Sequence, residues 1–454
     1  MIRRPVRFPL PLMVRRSRVV ILATFVLGYP CDAHAQRVPD ASTALVGAHV
    51  VDVERGVILP RQVVLVRGDR IVRVAPAGAV ALPRGTRVVR VDGAYVIPGL
   101  WDMHVHALYD PALVDRLLGL LVANGVTGIR DMGGRLDVVL DVRRRIRAGE
   151  LLAPRVVAPG PVLDGPEPVI PEISWPVATA GEGRAAVDSL AAADADFVKV
   201  YTLLPREAFF AVVERARERA LPVAGHVPAA VTPIEAARAG MRSIEHLRSE
   251  IEPYCSRTEP AACDEPFAVF REMDTWQTPT LAVRRNRAFL DDSTAVWKPY
   301  LRHAPSSLLT EWQAERAGRL ERGEEYFADA RERHADEVFV TGELHEAGIP
   351  ILAGSDAGAL FSLHGFALHD ELELLVAAGL EPEDALRAAT SEAARFLGLQ
   401  GSLGTITAGK KADLVLLEGD PIADIRNTRR IHAVMLDGRL LSRAELDRLL
   451  EGGP

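Results

Sequence analysis

The chain has 454 residues, is 48% hydrophobic and 25% charged, and carries a formal net charge of −7. Such a composition builds a large core and excludes a disordered chain. A net acidic protein with no long Lys/Arg run outside its first residues is a poor nucleic-acid ligand, so the expected partner is a small-molecule substrate.

The first residues read differently from the rest. Arg3, Arg4, Arg7, Arg15, Arg16 and Arg18 precede the apolar run VVILATFVLG, and Ala33-His34-Ala35 follows it. This is the order and size of a secretory signal peptide, residues 1–35, cut after Ala35 so that the mature chain begins at Gln36. About ten apolar residues fall short of the roughly 20 that span a bilayer, which argues against a stable membrane anchor. The expected localisation is exported, periplasmic or secreted, and Arg15-Arg16 leaves the general and twin-arginine routes both open. Cys31 falls before the cut. Cys255 and Cys263 either form a local disulfide in an oxidising compartment or stay as free thiols.

From Thr43 to Val91 apolar and polar residues alternate between Gly and Pro punctuation, the pattern of short strands and hairpins. The next stretch, VIPGLWDMHVH from Val96, ends an apolar run with His104 and His106. In an extended segment these point to the same side, so one metal ion can take both. Two of twelve histidines decide nothing by themselves.

Beyond His106, strand-like runs alternate with helical ones: GVTGIRDM, VVLDVRRRIRAG, RVVAPG, DFVKVY, REAFFAVVERARERA, LPVAGHV, TPIEAARAG and SIEHL. Alternation of this kind predicts βα units around a parallel sheet. Residues 284–337 are rich in charge and helix formers and read as a helical excursion over one face. Short strands return near the C-terminus in GSLGTITAGKKADLVLLEGD and IHAVMLDGRLL. The expected fold class is α/β: a (β/α)8 TIM-like barrel over 98–399, preceded and followed by 36–97 and 400–454, which together form a small composite β-sandwich domain.

In such a barrel the C-terminal strand ends share one pocket. Lys199 in DFVKVY, His226 in VAGHV, His246 in SIEHL and Asp356 in ILAGSDAG each lie at or near the end of a strand-like run, and they join His104 and His106 as candidate metal ligands. Each has a plainer alternative: His226 as a core histidine, His246 as a helix-surface residue, Asp356 as a helix cap in a tight turn. Lys199 is the sharpest clue, because a charged amine inside an apolar strand costs too much unless it is paired or modified. Tyr201 shares the Lys199 face and His364 follows the Asp356 segment, so both are candidate substrate contacts; His369 is a further candidate for the pocket rim. Arg130 and Asp131 read as barrel-interior or loop contacts.

The ordered set VIPGLWDMHVH, GVTGIRDMGG, VKVY, GHV, IEHL, GSDAG and GTITAGKKADLVLLEGDP resembles the amidohydrolase superfamily, in its imidazolonepropionase-like and Xaa-Pro dipeptidase-like branch, over roughly Thr43 to Leu441. Imidazoles and carboxylates suit zinc. The resemblance implies two divalent ions, one held by His104, His106 and Asp356, the other by His226 and His246. It also implies that carbon dioxide converts Lys199 into a bridging carbamate, a step that needs the neutral amine and is favoured by burial. Binding water to a divalent ion lowers its pKa from 15.7 to about 7. Asp356 is then the catalytic acid/base, taking the proton of the attacking water and handing it to the leaving nitrogen.

GHVPAA lacks the Glu that deaminases of this superfamily carry shortly after the third histidine. The function expected is therefore an exported binuclear metal-dependent amidohydrolase acting on a dipeptide or N-acyl amino acid. A mononuclear deaminase or cyclic-imine/imidazolone hydrolase is the alternative, and a non-catalytic binding protein on the same fold a further one. PGPVLDGPEPVIP stands where many members carry Gly-Gly-His-Gly, so the exact substrate stays open, as do the physiological metal and homo-oligomerisation.

Overall fold

The computed structural model describes residues 42–247, 255–292, 294–295 and 298–452. The expected signal peptide and its cleavage point lie outside the described residues. In chain order the strands begin with β1 (Ser42–Asp52), β2 (Val57–Arg67), β3 (Arg70–Pro76), β4 (Arg87–Arg90) and β5 (Tyr95–Pro98). The middle of the chain adds β6 (Leu100–Val105), β7 (Val126–Asp131), β8 (Arg155–Val157), β9 (Val162–Asp164), β10 (Ser174–Pro176), β11 (Val198–Val200), β12 (Val223–Gly225), β13 (Ser243–Glu245) and β14 (Trp276–Thr278). The last three are β15 (Leu414–Leu417), β16 (Ile431–Leu436) and β17 (Arg439–Leu441).

Both ends of the chain meet in one sheet, ordered β17-β16-β15-β5-β1-β2-β3 with β4 beside β1. The junction is the antiparallel pair β5–β15, in which Ile97 faces Val415 and Val96 faces Leu416. Leu45, Val50, Val64, Val96, Leu414, Leu416 and Met435 form its buried core. The composite origin expected from the sequence is thus present. Its hydrogen bonds, however, run as one eight-stranded sheet and not as the two facing sheets of a sandwich.

The middle of the chain makes two parallel sheets, β6-β7-β8 and β10-β9-β11-β12-β13-β14. Between the strands run helices, among them Val114–Ala123, Ala180–Ala192, Arg206–Glu218 and Pro233–Ala239. Local chemistry sets their ends. Thr232 and Glu235 form a capping box on a helix that starts with Pro233 and stops at Gly240, whose φ of 111° satisfies the left-handed C-terminal turn.

Segment 350–357 closes one seam between the sheets. It pairs Ile351 with Gln277 of β14 and Ala357 with Val105 of β6, both parallel. Across the other seam the Asp196 N–H donates to the Ala158 carbonyl at 3.1 Å, and the Ala158 N–H to the Asp196 carboxylate at 2.7 Å. A single closed ladder of eight strands is not formed by the described strands. The left-handed Asp356 interrupts the extended backbone at the first seam, and Pro159 lacks a ladder donor at the second.

Helices Leu281–Ala288, Ser306–Leu320 and Gly323–Glu346 supply the expected excursion. Cys255 and Cys263 are disulfide-bonded, which decides between the two readings of that pair. Among the described residues no helix is long and apolar enough to cross a membrane.

One buried carboxyl makes stability depend on pH. Glu371, in helix Phe366–Ala377, is fully buried and accepts the Ala282 N–H at 2.7 Å, while its Oε1 makes no hydrogen bond. Burial pushes its pKa from 4.5 up to about 8. Between those values the folded protein binds a proton that the unfolded chain releases, so stability falls as pH rises through the window, by a few kcal/mol at most. Glu371→Gln keeps the acceptor and removes the titration. Its thermal midpoint should decline less than that of the parent between pH 5 and pH 9; equal declines in both would contradict the assignment.

Candidate metal centre

His104 is the penultimate residue of the fully buried strand β6, and His106 follows the strand. Asp356 comes to them across the seam, its N–H donating to the His104 carbonyl at 2.7 Å. Its Oδ1 lies 3.4 Å from His104 Nε2 and 3.3 Å from His106 Nε2. One ligand atom from each of the three falls within 4.8 Å of the others, a set that suits a single metal ion. Gly354 permits this approach, since a Cβ there would stand 2.7 Å from His104 Cβ and 2.6 Å from Thr278 Cγ2.

The second part of the cluster comes from β11, β12 and β13. Lys199 is 1% exposed in β11, with Nζ 5.7 Å from the Tyr201 ring. Gly225, with φ 137°, lets β12 run so close to β11 that a Cβ would meet the Val200 carbonyl oxygen at 2.1 Å, and His226 follows directly. Tyr201 stacks on His226 at 4.0 Å between ring centroids. His246 follows β13, its ring centroid 4.8 Å from those of both His104 and His226. The six residues expected from the sequence to be ligands therefore converge, and Tyr201 flanks them.

Each inner histidine is held from behind through Nδ1. His104 Nδ1 meets Glu245 Oε2 at 2.9 Å, His226 Nδ1 meets Thr202 Oγ1 at 2.9 Å, and His246 Nδ1 meets Thr280 Oγ1 at 2.6 Å. Thr280 donates its own proton to the Pro279 carbonyl at 2.7 Å, so towards His246 it accepts. Nδ1 of His104 and of His246 therefore carries the hydrogen, and Nε2 presents a lone pair to the cluster.

Electrostatics keeps these groups in ligating form. Burial lowers His104 to about 4, assisted by the charge of Lys199, and it lowers His226 and His246 well below the usual range. For Asp356 burial alone would raise the pKa, but the hydrogen bond from His106 and the surrounding imidazoles hold it well below the usual carboxylate range. His104 Nε2 is buried without a hydrogen bond and faces a carboxylate oxygen. A lone pair opposite an anion is repulsive unless a cation stands between them, so the donor set fits a divalent metal.

Other expectations land elsewhere. His364, read as a substrate contact, is fully buried behind the site, with Nε2 3.2 Å from the His106 carbonyl oxygen and burial lowering its pKa to about 4. His369 spends both ring nitrogens on Thr428 and the Asn124 carbonyl, so it belongs to the core and not to the pocket rim. Asp131 accepts the N–H groups of Ala107 and Leu108, fixing the turn after His106, and burial pushes its pKa up to about 6. Asp164, at the end of β9, accepts the N–H of Val169 at 2.8 Å and of Leu203 at 2.7 Å, binding together two loops whose Val169 and Leu203 side chains are exposed.

Sequence reasoning missed Glu245, which is fully buried, and passed over Arg130 as an interior contact. The signal that singled out Lys199, a charge within an apolar strand, is present in both SIEHL and GIRDM.

The profile of the amidohydrolase family matches residues 95–441. An uncharacterized protein of Mycobacterium tuberculosis is 27% identical over 346 residues, covering 73% of this chain and 80% of its own. Among solved structures, a Bifidobacterium longum protein assigned as a prolidase has a TM-score of 0.70 at 26% identity, covering 91% of this chain and 99% of its own. A bottromycin amidohydrolase has a TM-score of 0.72 at 28% identity, covering 90% of each chain. These likenesses imply a TIM-like barrel for the parallel strands.

The Gly354 contact is directly testable. Gly354→Ala should push His104 or Thr278 aside and lower the metal retained after dialysis by about tenfold or more, with circular dichroism unchanged. Undiminished metal content would show that the close approach is not what places His104.

Proposed function

The chain belongs to the amidohydrolase family, and from that premise we propose that it is an exported binuclear hydrolase of an amide or peptide bond in a small substrate, of dipeptide or N-acyl amino acid type. Its assignment as a hydrolase of carbon–nitrogen bonds follows from the family and from the peptidase and amidohydrolase likenesses. One observation carries the finer reading: Lys199, 1% exposed, lies among three histidines whose pKa values its charge helps to depress.

In this reading His104, His106 and Asp356 hold one ion and His226 and His246 a second, zinc being suited to both. Lys199 would take up carbon dioxide through its neutral amine, forming an N–C bond with release of a proton, and the carbamate would add an anionic ligand to the centre. The chemistry such ions would supply is a water acidified towards neutral pH and a Lewis acid for the scissile carbonyl. Asp356 accepts the proton of the attacking water and delivers it to the leaving nitrogen as the C–O bond forms and the C–N bond breaks. Tyr201, stacked on His226, offers its hydroxyl to a substrate carbonyl or carboxylate. His364, being buried, acts through the His106 backbone.

The compactness of the His104, His106 and Asp356 set favours a second reading, a mononuclear deaminase or cyclic-imine hydrolase. Metal analysis separates them, one ion per chain against two.

Lys199→Ala should lose most of one ion and of the activity, with partial recovery of both on adding short carboxylates. Asp356→Asn should lower kcat by at least 10²- to 10⁴-fold, the usual worth of general acid–base catalysis. Full activity in Lys199→Ala sinks the two-metal reading, and near-native kcat in Asp356→Asn sinks the proton role. Export is checked separately. The mass of the secreted protein should correspond to a chain starting at Gln36, whereas a mature chain retaining Met1 contradicts it.

A further inference from the structure

We propose that Glu245, clamped by Arg130, is the positioning residue for His104 and sets how tightly the His104, His106 and Asp356 position holds its divalent ion; this rests on the metal reading above. Arg130 projects from β7 into the interior of the sheets. Its Nε donates to the Met103 carbonyl at 2.6 Å, its Nη1 to Ser243 Oγ at 2.8 Å, and its Nη2 to both Glu245 oxygens at 2.8 Å. Nη2 also lies 3.2 Å from Thr278 Oγ1. Every one of these side chains is at most 1% exposed.

The arrangement fixes His104 at two points. The same planar guanidinium holds the peptide just before His104 and the carboxylate behind its ring, so strand position and ring rotation are set together. Ser243 donates its hydroxyl to Glu245 Oε1, which leaves Oε2 aimed at His104 Nδ1. An Nδ1–H held by a carboxylate cannot flip, and it makes Nε2 a stronger donor to a cation. Lysine would not serve in place of Arg130, because an ammonium is a point charge without the rigid fork that spans Met103 and Glu245. An ion pair present only to fill the interior would need neither the Met103 carbonyl nor the imidazole.

The test is a double-mutant cycle on the full chain, reading Zn²⁺ affinity by chelator competition and fold by circular dichroism. Glu245→Gln should weaken one of the ions by roughly 10- to 100-fold and leave the other unchanged. In a His104→Ala background the same substitution should cost nothing more, because Glu245 acts through His104. Unchanged affinity in Glu245→Gln, or losses that simply add in the double variant, overturn the proposal. If Glu245→Gln fails to fold because Arg130 is left unpaired, the combined Arg130→Met and Glu245→Leu variant carries no stray charge. It should fold and still hold one ion less tightly; parental affinity for every ion in that variant overturns the proposal too. A parent chain that takes up no Zn²⁺ fails the site reading itself, whereas a zinc-binding parent with an indifferent Glu245→Gln fails only the positioning role.

Discussion

The site exists because the backbone of segment 350–357 is hydrogen-bonded to the first parallel strand. Met103 donates to the Ala353 carbonyl, Asp356 to that of His104, and His106 to that of Ala357. These three bonds place the side chain of a residue some 250 positions later beside His104 and His106. Two of the residues involved are held in unfavourable backbone conformations, His246 at φ 71° and Asp356 at φ 52°. Left-handed conformations at non-glycine residues cost of the order of 1–3 kcal/mol each and persist only where their surroundings over-determine them. Here the surroundings are strand ends: the N–H of His246 is bound by Thr278 of β14, as that of Asp356 is by His104 of β6.

Around this seam the interior is charged to an unusual degree. Asp102, Arg130, Asp131, Lys199 and Glu245 are all essentially inaccessible to water. Burying charge is costly unless each group is paired and hydrogen-bonded, and Asp102, Arg130, Asp131 and Glu245 are held by hydrogen bonds. Asp102 takes hydrogen bonds from the N–H groups of His104 and Ser355 and from the Ser355 hydroxyl, yet burial still pushes its pKa up to about 7. Arg130 and Glu245 neutralise each other, and against the burial that would raise Glu245 the charge of Arg130, the hydrogen bond to His104 and the charge of Lys199 together hold its pKa well below the usual carboxylate range. Polar groups thus order the end of β6 where apolar packing would hold it less specifically.

What the sequence disclosed and what it hid follow from the same physics. The residues that cluster were legible because imidazole, amine and carboxylate stand out at the ends of apolar runs, and a parallel α/β fold sends those ends to one side. Thr202, Thr280 and Glu245 were not legible as supports, since a threonine beside a strand carries no mark of the ring it will face after folding. His364 was expected at the rim because it follows Asp356 closely in sequence. The left-handed residues Leu360 and Phe361 and Gly365 at φ 80° mark sharp changes of chain direction around it, and it lies behind His106. The composite sheet was readable from strand text at both termini, but whether that text makes one sheet or two depends on the β5–β15 pairing, which spans more than 300 residues and leaves no local signature.

Asp164 bears on how specificity in this scaffold can be exchanged. Its buried carboxylate receives the amides of both Val169 and Leu203, and Gly165 sits so close to the Leu203 carbonyl oxygen that a Cβ would approach it to 2.3 Å. The loop after β9 and the loop after β11 are therefore a single mechanical part. Grafting the first alone from another member would strand a charge in the interior or wedge a side chain against the second. Replacement of either loop, by evolution or by design, must therefore be paired, with 164–176 inherited alongside 201–204 as one cassette.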